Sequence, residues 1–123
     1  MLKVLGLSLI AATLIPISAQ ADTAIKCQKR KAGPTEIYVI RDAQRKFVFF
    51  NQKTKQIQPS CEGRCDWSYT ENRIAFDKLD SGFIKRAVLN RASGTLISWF
   101  ATGGSSSQTC VKIPMPIVAK NKF

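Results

Sequence analysis

The residues best placed for chemistry in this 123-residue chain are four cysteines, Cys27, Cys61, Cys65 and Cys110, and the chain has no histidine. As thiolates, cysteines attack carbonyl carbons or hold zinc; once oxidised in pairs they only staple the chain. A zinc site needs ligands in close pairs, usually with histidine help, and here only Cys61 and Cys65 are close, at a C-x3-C spacing. The missing histidine also removes Ser–His–Asp and Cys–His catalysis. An even cysteine count in a short chain predicts two disulfides formed in an oxidising compartment. Three pairings are open. The preferred one joins Cys61 to Cys65 across Glu62-Gly63-Arg64 and Cys27 to Cys110, because a long closed loop removes the most entropy from the unfolded chain.

Other routes to catalysis are thin. No Ser-x-x-Lys spacing occurs, and Gly103-Gly104 lacks the strand-to-helix context and lysine of a phosphate-binding loop. Two carboxylates could run a small hydrolase, with Asp66, Glu71, Asp77 and Asp80 as candidates. All four stand among turn-forming residues, where a carboxylate is ordinarily solvated or caps a backbone N–H. The expectation is therefore a non-enzyme with no catalytic residues, cofactor or metal.

Charge is the stronger signal. Lysine and arginine number 19 against 8 acidic residues, a net charge of +11. Such a balance draws a protein to anionic surfaces. The cations are spread along the chain, in Lys29-Arg30-Lys31, Arg45-Lys46, Lys53, Lys55, Lys85-Arg86, Arg91, Lys120 and Lys122, so a site requires the fold to gather some of them. Lys53, Lys55, Lys85, Arg86 and Arg91 are the anion-binding candidates. Trp67, Tyr69, Trp99 and Phe100 could stack on sugars or bases beside them, or fill a small core.

The compartment follows from the N-terminus. Lys3 precedes an apolar run from Val4 to Ile15, Pro16 stops it, and Ala19-Gln20-Ala21 supplies small residues for cleavage. Residues 1–21 thus read as a cleaved signal peptide, and the run is shorter than the roughly 20 residues a membrane-spanning helix needs. No cysteine stands at the cut, which argues against a lipid anchor, and no Arg-Arg pair precedes the run. Lys3 is the sole charged residue of the leader, so residues 22–123 keep a net charge of about +10. The mature protein is expected in the periplasm or secreted.

What remains to be positioned is read as β structure. Apolar runs of four to seven residues, rich in β-branched and aromatic types, alternate with polar or glycine-bearing breaks. Expected strands are Ala24–Arg30, Glu36–Arg41, Lys46–Asn51, Trp67–Thr70, Arg73–Asp77, Phe83–Asn90, Thr95–Ala101 and Gln108–Ile113, with Lys53–Gln58 as an optional short lysine-bearing edge. Phe47-Val48-Phe49-Phe50 should be covered on both faces, and Gly103-Gly104-Ser105-Ser106-Ser107 should be a flexible turn. The predicted fold is all-β: one domain over 22–123, an antiparallel meander of six to eight strands closed as a barrel or folded as a sandwich.

The strand Phe83–Asn90, the turn Arg91-Ala92-Ser93-Gly94, the strand after it and Cys110 in the final strand together resemble a set of small uncharacterised exported β-proteins of Gram-negative bacteria. The resemblance covers Ile84 to Cys110. It implies a β-meander and no mechanism.

These features predict an exported binding or structural module. Its expected partners are an anionic lipid, lipopolysaccharide or an acidic glycan; the alternative is another exported protein. A lysozyme partner is disfavoured because lysozymes are themselves cationic. Nucleic acid is not expected as the native partner of an exported chain. The terminal Phe123 resembles the last residue of outer-membrane barrels, but Pro116, Lys120, Asn121 and Lys122 break the alternating pattern, and the strands are too short to span a bilayer.

Overall fold

Two asparagines set two of the hairpins by the same device. Asn51 Oδ1 accepts the N–H groups of Lys53 and Thr54, and the Lys55 N–H returns to the Asn51 carbonyl at 2.7 Å. Asn90 Oδ1 likewise accepts from Ala92 and Ser93, and the Gly94 N–H donates to the Asn90 carbonyl at 2.9 Å. In each turn the fifth residue has a left-handed backbone, Lys55 at φ 62° and Gly94 at φ 73°. At Gly94 the glycine is needed twice, since a Cβ there would come within 3.1 Å of the Cys110 carbonyl.

The computed structural model describes residues 21–119; apart from Ala21, the expected leader lies outside the described residues, as does the end of the basic tail at 120–123. Nine strands follow in chain order: β1 (Thr23–Gln28), β2 (Thr35–Arg41), β3 (Lys46–Asn51), β4 (Gln56–Pro59), β5 (Cys65–Thr70), β6 (Arg73–Lys78), β7 (Ile84–Asn90), β8 (Thr95–Phe100) and β9 (Ser105–Ile113). The expected count of six to eight was too low, because even the segment after β3 pairs as a four-residue edge strand. That strand begins at Gln56, so Lys53 and Lys55 lie in the turn before it and do not line the edge. Asn51 captures the two N–H groups that an extended strand would have sent to a neighbour. The serines expected as a flexible turn instead open β9, where Ser105 pairs opposite Trp99.

All the pairings are antiparallel, in the order β4-β3-β2-β1-β9-β8-β7-β6-β5, and the sheet curls into a half-barrel. Every adjacent pair but one is a hairpin. The exception is β1 against β9, which sits mid-sheet and joins a four-strand meander to a five-strand one. Cys27 and Cys110 face each other in that pairing and are bonded, at a sequence separation of 83. Cys61 and Cys65 form the second bonded pair, separated by 4. Two such pairs suit an oxidising, non-cytoplasmic compartment.

The concave face carries the core: Ile25, Ile40, Phe47, Ile74, Phe76, Leu89 and Leu96 are buried around Cys27. Curling brings the two meanders together. Phe47 of β3 stacks edge-on against Trp67 of β5, centroids 5.2 Å apart, and Trp67 lies 5.0 Å from Phe76. The first pair is edge-to-face and the second tilted, and aromatic pairs at such distances add about 1 kcal/mol each beyond their burial. On the convex side Ala24, Val39 and Val48 form one row across β1, β2 and β3, and they too are buried. Strand β3 is therefore covered on both faces, with Phe47, Val48 and Phe50 all buried.

The chain after β9 stays extended. Ile113 is opposite Ala24 of β1, and six residues later the Ala119 N–H donates to the Lys55 carbonyl at 2.8 Å. Residues 114–119 therefore strap across from β9 to the β3–β4 turn. Pro114 and Pro116 have no N–H to give a neighbouring strand, which keeps this segment from pairing as a tenth strand.

Candidate anion-binding groove

Strand alternation decides which cations share a face. Cys27 points into the core, so its neighbours Lys26 and Gln28 point to the convex side. Across the β1–β9 pairing, Lys26 is opposite Val111 and Gln28 is opposite Thr109. The chain then turns through Lys29-Arg30-Lys31. The Gly33 N–H donates to the Arg30 carbonyl at 3.0 Å, and Gln28 Nε2 donates to the Gly33 carbonyl at 2.8 Å. These bonds hold the turn over the end of the strand pair and leave the three cations exposed.

The result is a groove of about 340 Å³ in which Lys26, Lys29, Arg30 and Lys31 surround Gln28, Thr109 and Val111. Among the described residues no acidic one lines it. The β3–β4 turn lies alongside, because Gln52 Nε2 donates to the Thr35 carbonyl at 2.9 Å. That bond brings Lys53 and Lys55 to the same end of the sheet. Among the described residues none of these six side chains is in an ion pair. Like charges clustered without counter-charges raise the local positive potential, which attracts and concentrates anions.

Several of the acidic residues are committed elsewhere, and the others do not line the groove. Asp22 pairs with Arg41, Asp77 with Arg86 at 3.6 Å, and Asp80 with Lys78 at 2.7 Å. Glu36 faces inward, accepting from Gln108 Nε2 at 2.8 Å and from the Tyr38 hydroxyl at 3.3 Å. Burial raises the Tyr38 pKa well above its ordinary value, and the Glu36 charge and hydrogen bond push it further the same way. Asp66 and Asp77, two of the hydrolase candidates, stand opposite each other on β5 and β6, both exposed. Among the described residues no group of three or more His, Cys, Asp or Glu could hold a metal ion.

Of the cations singled out by sequence, Lys53 and Lys55 reach the groove end and the other three do not. Lys85 sits on β7, where the register shifts between Ile84 and Arg86. The Arg86 guanidinium lies 5.5 Å from the Trp99 ring centroid and near Asp77. Arg91 is taken by Asp42. Its Nη1 is 2.5 Å from Asp42 Oδ1, so it serves the fold and is a poor site for an external anion. The four groove cations were missed as a set. Their signal was Lys26, three places before a solid Lys29-Arg30-Lys31 run that is followed by Ala32 and Gly33-Pro34.

The Asp42 cluster stands at the opposite end of the sheet from the groove. Asp42 begins a short 3-10 turn between β2 and β3 and accepts from the Tyr69 hydroxyl of β5 at 2.5 Å as well as from Arg91. Burial of the Asp42 carboxyl opposes its ionisation, but the hydrogen bonds from Tyr69 and Arg91 and the Arg91 charge outweigh that and lower its pKa. The bond to the carboxylate raises the Tyr69 pKa, with burial acting the same way. A cavity of about 500 Å³ opens beside these three, bounded also by Ala21, Glu71 and Asn72. The carboxylate is fully engaged, so the cluster acts as a clasp between the two meanders.

Of the aromatics, Trp67 and Tyr69 pack against the core, Trp99 lies beside Arg86, and Phe100 stacks 4.9 Å from Phe83. Among the described residues no helix is long and apolar enough to cross a membrane. No family model matches the chain, and neither a curated protein nor a solved structure does, so its function has to be read from the site itself.

Proposed function

We propose that the protein is an exported, non-catalytic module that binds an anionic component of the cell envelope through the groove formed by Lys26, Lys29, Arg30 and Lys31, with Lys53 and Lys55 beside it. The observation that carries this reading is the gathering of four unpaired cations around one groove that no carboxylate lines. The two bonded cysteine pairs favour work outside the cytoplasm, as does the leader-like sequence at residues 1–21. Phosphate-bearing lipids, lipopolysaccharide and acidic glycans share the chemistry such a site recognises. Each lysine or arginine near an anionic surface contributes about 1 kcal/mol, so the groove supplies about 4 kcal/mol and the adjoining turn about 2 more.

Binding of the chain from Asp22 onward to vesicles containing phosphatidylglycerol, and to lipopolysaccharide, should be measured across a salt series. Binding is expected at about 20 mM salt and should fall steeply as salt rises, since the screening length shrinks from about 8 Å at 0.15 M to about 3 Å at 1 M. No binding to either at low salt would defeat the proposal.

A further inference from the structure

Building on the anion-binding reading, we infer that the groove face docks on an anionic bilayer surface and that the strap at residues 114–119 supplies its apolar anchor, with Ile117 foremost. The geometry begins with the strap's path. It leaves β9 beside Ala24 and ends on the Lys55 carbonyl, so it joins the β1–β9 pair to the lysine-bearing β3–β4 turn. Apolar side chains are displayed along it. Ile117 is 88% exposed, Met115 47% and Val118 46%. Val111, in the groove itself, is 57% exposed.

A soluble polyanion has no use for these groups, and water penalises leaving them out. A bilayer rewards both halves of the surface. The cations meet phosphates in the headgroup layer, and a branched apolar side chain projecting between them reaches the acyl boundary a few ångströms deeper. Charge alone gives loose, salt-labile attachment, whereas stable attachment takes two signals, here a basic patch and an apolar insertion. The prolines suit the second role. With φ fixed, Pro114 and Pro116 hold the strap extended before binding, so little conformational entropy is lost when Ile117 inserts. Among the described residues Ile117 is the most exposed of the large apolar side chains.

The test compares wild-type and Ile117→Ser proteins on two probes, phosphatidylglycerol vesicles and soluble inorganic polyphosphate. Ile117 is almost wholly exposed, so the substitution leaves the fold intact, and thermal unfolding checks this. The expected result is about a tenfold loss of vesicle affinity on removing the side chain, with polyphosphate affinity unchanged. Wild-type vesicle binding should also retain a component at about 0.5 M salt that Ile117→Ser lacks. Equal vesicle affinity for the two proteins would overturn the bilayer inference and leave the groove as a binder of soluble or glycan anions. Failure of the wild type to bind either probe at low salt would overturn the groove reading as well.

Discussion

Replacing Cys27 and Cys110 by alanine should cost about 4.5 kcal/mol of folding stability, while the same change at Cys61 and Cys65 should cost about 2 kcal/mol. The difference comes from the closed loops, which span sequence separations of 83 and 4. Closing the longer loop removes far more freedom from the unfolded chain. Its position matters equally. The bond lies in the pairing of β1 with β9, which unites the two meanders and has no turn to hold it in register. A domain of this size has about 5–10 kcal/mol in total, so the first variant should unfold more than about 20 °C below wild type and the second much closer to it. Urea unfolding of both variants checks the ratio. Equal losses would mean that the β1–β9 pairing is not the joint of this fold.

Asp42→Asn should be the most costly single polar substitution, at about 2–3 kcal/mol near neutral pH. The Asp42 side chain is 9% exposed and holds both Arg91 and the Tyr69 hydroxyl. An amide can still accept one of these bonds but leaves the guanidinium, itself 27% exposed, without a counter-charge. The pH dependence has a definite sign. The folded-state pKa of Asp42 lies below its ordinary 3.8, so its ionised form favours the fold. That contribution is complete above about pH 5 and is lost as pH falls below 4 through the folded pKa. The wild type should therefore lose stability on acidification, and the gap between wild type and Asp42→Asn should close towards pH 2. Urea unfolding from pH 7 to pH 2 measures this; a gap that persists in acid would show that the carboxylate charge is not what holds the clasp.

Local rules made much of the sheet legible. Alternating apolar residues placed the hairpins to within two or three residues at most ends, because each strand has one face to bury. Turn chemistry was read less well. Lys53 and Lys55 looked like edge-strand residues until Asn51 proved to be capturing the turn. Ser105 to Ser107 looked flexible, yet pairing with β8 extends β9 through all three. In both cases tertiary bonding overrode local propensity. The site was hidden for a related reason. Lys26 joins Lys29, Arg30 and Lys31 only when the direction of Cys27 is known, and that depends on the pairing of β1 with β9 across most of the chain. Arg91 shows the converse. Its sequence position gives no hint of Asp42, 49 residues earlier, which neutralises it.

On the proposed reading, binding depends on where the cations are gathered and not on net charge alone. Two triple variants with the same change in net charge separate these. One carries Lys26→Glu, Lys29→Glu and Lys31→Glu in the groove; the other carries Arg64→Glu, Arg73→Glu and Lys85→Glu, all exposed and outside it. Their affinities for phosphatidylglycerol vesicles at about 50 mM salt provide the measurement. The groove triple should lose affinity by about 100-fold or more, and the outer triple by no more than about threefold. Equal losses in the two would contradict the account, because the groove would then be no more than part of a uniformly basic surface.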